Sequence, residues 1–304
     1  MRIGIDLGGS KIEAIGLDAG GVERFRRRVT TPRGDYDATV AAIASLVESA
    51  SREVGPAPVG IGIPGVASPV TGLIKNANST WLNGRNLVED LARVLGRDVR
   101  LANDANCFAL SEAVDGAGAG CRVVFGVIIG TGTGGGIVVN REVLVGANAI
   151  GGEWGHNPMP WPEAGEWPGT PCYCGRTGCI ETFLSGPGLS RDHASRTGRP
   201  LDAAAIAARA AMDDRDAVET MSRYEGRMAR ALASIINVVD PDVIVLGGGL
   251  SNIARLYDNV PRLWSRYVFS DVVTTRLLPA RHGDSSGVRG AAWLWDTHAL
   301  RVNS

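Results

Sequence analysis

Lysine is nearly absent from this chain. Lys11 and Lys75 are the only two in 304 residues, so almost all the positive charge is arginine. The formal net charge is −1, and no basic arm or stripe stands out. Nothing here would track a phosphodiester backbone or an anionic lipid surface, which excludes nucleic acid and membrane as expected partners. Long apolar runs are lacking too. "VVFGVIIG" (Val123 to Gly130) falls far short of the roughly 20 residues that cross a bilayer. The opening "MRIGIDLGGS" has no apolar core of signal-peptide length, which predicts a cytoplasmic protein. Cysteine is scarce, with five in all, and a reducing compartment excludes a disulfide framework. Yet three of the five fall inside "PCYCGRTGC".

What the chain does have is the balance of a globular protein. Hydrophobic residues at 44% against 21% charged are enough for a real core, and the length allows two domains. "RIGIDL" and "KIEAIGLD" read as a hairpin joined by "GGS", with "RFRRRV" as a third strand. Asp35 to Val54 has helical periodicity, "VGIGIP" is a buried strand, and "NLVEDLARVLG" is a helix stopped by Gly96. "VRLAN" is a strand that runs into the helix "DANCFALSEAVDG". The pattern then restarts: "VVFGVIIGTGTGGGIVVN" is again strand, glycine turn and strand, with Gly126 and Gly130 standing where Gly4 and Gly8 stood. This is either a duplication or a chance match of short strings; a duplication would give two similar α/β domains facing each other. Met221 to Val239 is an amphipathic helix, and "PDVIVLGGG" is a buried strand ending in a glycine turn.

"WPEAGEWPGTPCYCGRTG" follows neither period and reads as a long loop, a kind of segment usually functional or stapled by metal. Cys172, Cys174 and Cys179 can converge on one small cation, and His156 is the nearest imidazole. Three thiolates and an imidazole make a closed zinc site; the alternative is a set of unliganded thiols. Such a site would pin two flanking acids, Glu153 and Glu181, and the free edge of His156 toward one pocket. Two glycine turns, "DLGGSK" (Asp6 to Lys11) and "GTGTGGG" (Gly130 to Gly136), follow buried strands. Each is either a tight hairpin or an anion-binding nest for a polyphosphate. Neither has P-loop spacing. Asn103 and Asp104 sit where a strand ends and a helix begins, the place of an ordinary N-cap and equally of a ligand contact in an open α/β sheet.

"IDLGGSKIEA", "GIPG", "NDAN", "GTGTGGG", "GEWGH", "CYCGRTGCIE" and "VIVLGGG" occur in the order seen in the ROK family of bacterial sugar kinases, which the whole chain resembles. The resemblance implies the α/β actin-like ATPase (ribonuclease H-like) fold, with two α/β domains around a central cleft. Residues 1–120 would form the smaller domain, completed by a C-terminal helix over 287–300; residues 121–286 would form the larger one with the zinc loop. The implied reaction moves the γ-phosphate of ATP, with Mg2+, to a hexose, in a homodimer with structural Zn2+. Asp104 would be the general base. Asn78, Asn103, Glu153, His156 and Glu181 would bind sugar hydroxyls. Gly8, Gly9, Ser10 and Lys11, with Gly130, Thr131 and Gly132, would hold phosphates. Asp6 would face magnesium through water, and Gly247, Gly248 and Gly249 would lie against the adenosine. His156, Cys172, Cys174 and Cys179 would bind the zinc.

"NANSTWLNG", "GEWGHNPMPW" and "HGDSSGVRGAAWLW" look like the fructokinases of this family, which makes D-fructose the expected acceptor, with Trp81 and Trp161 denying room to an N-acetyl group. "NDANCFALSEA" is shared with its N-acetylglucosamine kinases, so that acceptor stays open, as do glucose and mannose. Family repressors carry a helix-turn-helix ahead of the first strand; here the first strand opens the chain, so a kinase is expected over a non-catalytic sugar sensor. A zinc hydrolase is disfavoured because four protein ligands leave no open coordination position.

Overall fold

Two five-stranded sheets of the same design organise the chain in the computed structural model, which describes residues 1–295. The first half runs β1 (Arg2–Leu7), β2 (Lys11–Leu17), β3 (Glu23–Thr30), α1 (Tyr36–Val54), β4 (Val59–Ile63), the short pair β5 (Val66–Ala67) and β6 (Ile74–Lys75), α2 (Leu87–Leu95), β7 (Val99–Asn103) and α3 (Asp104–Val114). The second runs β8 (Val123–Ile129), β9 (Thr133–Val139), β10 (Glu142–Val143), α4 (Glu181–Leu184), α5 (Gly186–Thr197), α6 (Ala203–Ala210), α7 (Arg215–Val239), β11 (Val243–Gly247), α8 (Arg255–Trp264), β12 (Arg276–Pro279) and α9 (Ser286–Trp293).

The first sheet has the order β3-β2-β1-β4-β7, and the second β10-β9-β8-β11-β12. In each, the opening strand lies between its following strand and a parallel crossover strand, and a second parallel strand lies beyond. The repeated glycine turns of the sequence thus fall at the same topological point of both sheets. This is the mixed α/β actin-like ATPase fold.

Local chemistry sets the helix starts. Asp35 caps α1 by accepting from the Ala38 N–H at 2.9 Å, and Asn86 caps α2, which stops at Gly96 in the left-handed region. Asp214 caps α7, which begins six residues ahead of the expected Met221. Helices α5, α6 and α8 and strand β12 are elements that sequence reading passed over.

The chain divides into two compact units. The first is Met1–Gly120, Gly136–Gly151 and Arg281 onward; the second is Cys121–Gly135 and Gly152–Ala280. This differs from a simple division at 120 and 286 in two places. Gly136–Gly151 belongs with the first unit because Gly136 lies directly against Ala105 and Asn106 of α3, where a Cβ would meet the Ala105 carbonyl at 2.6 Å. The return to the first unit begins at Arg281, because Glu112, fully buried on α3, accepts from the Arg281 N–H at 3.1 Å and from the Ser286 hydroxyl at 2.7 Å. Helix α9 then packs on β1, β4 and α3 at a distance only glycine allows: a Cβ on Gly290 would stand 1.6 Å from the Cys107 carbonyl oxygen. The expected helix over 287–300 is described as Ser286–Trp293, and its last part, 296–300, lies outside the described residues.

Candidate functional site

In the first unit, the end of β7 delivers two polar residues to the start of α3. Asn103 is the N-cap: its side-chain oxygen accepts from the Ala105 N–H at 2.9 Å. Asp104 is the first helical residue, and its Oδ1 accepts from the same N–H at 2.8 Å. The capping and catalytic readings, open for both residues in the sequence, are therefore separable: Asn103 caps, and Asp104 is a half-buried carboxylate beside the cap.

Asp6 on β1 stands near Asp104. It faces two positions without side chains, Gly62 of β4 and Gly287 of α9, where a Cβ would come within 3.7 Å of its carboxylate oxygens. Burial first, then the charges of Asp104 and Glu13, push the Asp6 carboxyl up to about 7, against the pull of Lys11 and Arg28. Two carboxylates held so that one resists ionising alone form a donor set that suits a hard cation, directly or through water. Asn78 is exposed on the loop after β6, its N–H bonded to the Pro64 carbonyl at 3.2 Å. That loop is clamped by Asn83, which bonds both the N–H and the carbonyl of Ala77.

The turn Gly8 to Lys11 closes on itself, since the Gly8 N–H donates to the Lys11 carbonyl at 3.0 Å. Gly130 in the second unit does likewise toward Gly132, at 2.9 Å. The backbone N–H groups of Gly8 and Gly130 are therefore spent in their own turns. Among the described residues, those of Gly9, Ser10, Thr131 and Gly132 have no internal partner and are the donors an anion could use. Gly247 ends β11, Gly248 has positive φ and lies against Ile129, and Gly249 opens a short exposed turn.

The thiol loop belongs wholly to the second unit, as do Glu153, His156 and Glu181. One donor atom each from His156, Cys172, Cys174 and Cys179 lies within 4.8 Å of the others. His156 Nδ1 is 3.6 Å from Cys172 Sγ, and Cys174 Sγ is 3.6 Å from Cys179 Sγ. A tetrahedron with metal–sulfur bonds of about 2.3 Å and a metal–nitrogen bond of about 2.0 Å has edges of roughly 3.5–3.8 Å. The cluster fits that ion. Burial and the neighbouring thiols push Cys179 up to about 12, so a cation is what would hold it as thiolate. The loop leading in is fastened by ion pairs: Glu166, nearly buried, bonds Arg227 at 2.7 Å and Arg230 at 2.9 Å on α7. Sequence reading missed this pairing, because its partners lie some sixty residues apart.

Glu181 opens α4 two residues after Cys179. Its Oε2 accepts from the Thr133 N–H at 3.0 Å, and its Oε1 lies 3.9 Å from Cys172 Sγ. One oxygen is thus committed to the backbone beside the glycine turn. Glu153 is exposed and precedes the single turn that carries His156. The outer edge of His156 is met by Tyr173, whose hydroxyl is 2.9 Å from Nε2. Trp81 packs on the core of the first unit and donates to Thr39 Oγ1 at 3.2 Å; Trp161 stacks on Tyr267 with ring centroids 5.3 Å apart.

Comparison with known proteins finds full-length relatives. An N-acetyl-D-glucosamine kinase of Photobacterium profundum is 42% identical over 300 residues, covering 97% of this chain and 99% of that protein. One from Escherichia coli is 40% identical over 299 residues, covering 97% and 99%. These relatives share the activity that the sequence left open beside fructokinase. Among solved structures, a ROK hexokinase from Thermus thermophilus superposes with a TM-score of 0.83 at 32% identity, covering 96% of both chains. A ROK glucokinase from Streptomyces griseus in complex with glucose and AMPPNP gives 0.78 at 27% identity, covering 96% of this chain and 98% of that one. Residues 2–298 match the ROK family, and the chain belongs to it.

Proposed function

We propose that this protein transfers the γ-phosphoryl group of ATP to the primary hydroxyl of a hexose, with N-acetyl-D-glucosamine as the acceptor. It is a sugar kinase of the ROK family. The observation that carries the catalytic reading is Asp104: a carboxylate at the C-terminal end of a parallel strand, beside a helix cap that another residue supplies. Phosphoryl transfer asks for positioning, charge stabilisation and a base for the nucleophile's proton. Asp104 takes that proton at a carboxylate oxygen. Asp6 would help to hold a magnesium ion, which would shield the phosphate charge. The free N–H groups of Gly9 and Ser10, and of Thr131 and Gly132, orient phosphate oxygens. Gly247 to Gly249 present bare backbone to the adenosine. Asn78, Asn103, Glu153, His156 and Glu181 are assigned to sugar hydroxyls. His156 Nδ1, Cys172, Cys174 and Cys179 would hold a zinc ion, which would leave His156 Nε2 as a donor of fixed direction.

Relatives at 40–42% identity over nearly the full length support N-acetyl-D-glucosamine. D-fructose phosphorylated at C6 is the second reading, favoured by the fructokinase-like strings around Asn78, His156 and His282. A coupled assay with Mg-ATP, comparing kcat/KM for N-acetylglucosamine, fructose, mannose and glucose, tests both. Preference for N-acetylglucosamine supports the first reading, and preference for fructose the second. Absence of sugar-dependent ATP consumption with all four would reject the kinase reading in favour of a sugar sensor.

A further inference from the structure

We propose that Tyr173 occupies, in the ligand-free protein, the place of a sugar hydroxyl on His156, and that the sugar must displace it. The inference rests on the reading of His156 as a sugar contact.

Tyr173 lies between Cys172 and Cys174, so a metal in the cluster fixes the backbone on both sides of it. Its hydroxyl is 2.9 Å from His156 Nε2, and its ring meets the imidazole edge-on, with centroids 5.1 Å apart and planes at 89°. The phenol therefore stands directly on His156, one of the side chains of this unit assigned to the sugar.

With Nδ1 turned to the thiol cluster, Nε2 carries the ring's single remaining N–H. One N–H serves one acceptor well. A tyrosine oxygen at 2.9 Å and a sugar oxygen cannot both take it at full strength. The tyrosine is also free to leave. It is 70% exposed, and turning it out to water opens no cavity in the core. Sugar binding then exchanges one neutral hydrogen bond for another, and affinity is reduced by the bond that must first be broken.

The test is calorimetric titration of the zinc-loaded protein with N-acetylglucosamine and with fructose, without nucleotide, for the wild type and Tyr173→Phe. The phenylalanine keeps the ring and removes the acceptor. It should bind the preferred sugar roughly 3- to 10-fold more tightly, the worth of one neutral hydrogen bond. Zinc content and Tm should not change. Tyr173→Leu, which also removes the edge contact, should show at least the same gain. A residue serving only the loop's structure would weaken binding when altered, so the sign of the change is diagnostic. Unchanged or weaker affinity in both variants overturns the proposal while leaving the sugar-site reading intact. A wild type that retains zinc and binds no hexose overturns both.

Discussion

Asp104→Asn separates catalysis from capping more cleanly than the sequence alone could. The Ala105 N–H is shared by two acceptors, Asn103 at 2.9 Å and Asp104 at 2.8 Å. Asparagine at 104 keeps a side-chain oxygen in the same position and leaves the Asn103 cap untouched. What it removes is one negative charge in the first turn of α3, a loss of about 0.3–1 kcal/mol. The charge also opposes ionisation of Asp6, so its removal relieves a repulsion of the opposite sign. Net stability should therefore move by less than about 1 kcal/mol. Turnover should fall by roughly 10²–10⁴, the contribution of a positioned general base. Asn103→Ala should show a different balance, with about 1 kcal/mol lost from the missing cap. Urea titrations paired with steady-state kinetics measure both. Near-normal turnover in Asp104→Asn would refute the assignment of the base, whatever the stability data show.

Further outcomes follow from the rest of the structure. Cys179→Ser, or chelation, should remove zinc as measured by elemental analysis and weaken sugar binding with it; full activity in zinc-free protein would sink the metal's role. Glu166→Ala removes the carboxylate that Arg227 and Arg230 share, while Asp192 still meets Arg227 and Glu163 still meets Arg230; the loss should cost about 1–3 kcal/mol, read as a lowered urea midpoint. Asp6 binds its proton more tightly folded than unfolded, so in magnesium-free buffer its contribution favours the folded state below pH about 4 and is lost as pH rises toward about 7. Asp6→Asn should therefore flatten the stability profile between about pH 4 and 7, on the order of 1–3 kcal/mol, and an unchanged slope would show that the carboxyl is not held in this state.

Much of the fold was legible because its signals are local. Buried strands read as continuous apolar runs, and caps such as Asp35, Asn86 and Gly96 act within a few residues of themselves. The thiol loop was legible for another reason: its three cysteines and one histidine span only 24 residues, from His156 to Cys179, so chemistry and proximity in sequence coincide. Legibility failed where the deciding contact is long-range. The seating of α9 depends on Gly290 lying against Cys107 and Gly60 against Ala291, and no periodicity announces which glycines allow that approach. The partners of Trp81 and Trp161 were hidden in the same way. Each sits in a string shared with a known specificity, but the partners that fix the indoles, Thr39 and Tyr267, lie elsewhere in the chain.

Glu181 shows what such a long-range contact adds to function. Spacing from Cys179 made it an acid placed by the metal, and the family resemblance made it a sugar contact. The structure gives it a second attachment, the Thr133 N–H at 3.0 Å, across 48 residues. That contact exists because Gly132 has no side chain: a Cβ there would stand 2.7 Å from the same carboxylate oxygen. The glycine turn read as a phosphate cradle and the acid read as a sugar contact are thus two ends of one hydrogen bond. Glycine at 132 is needed for the approach of Glu181 as well as for any approach of an anion. Gly132→Ala should consequently displace Glu181 and raise the KM for sugar together with that for ATP. If only the KM for ATP rises, the glycine serves the phosphate alone, and the hydrogen bond to Thr133 does not join the two functions.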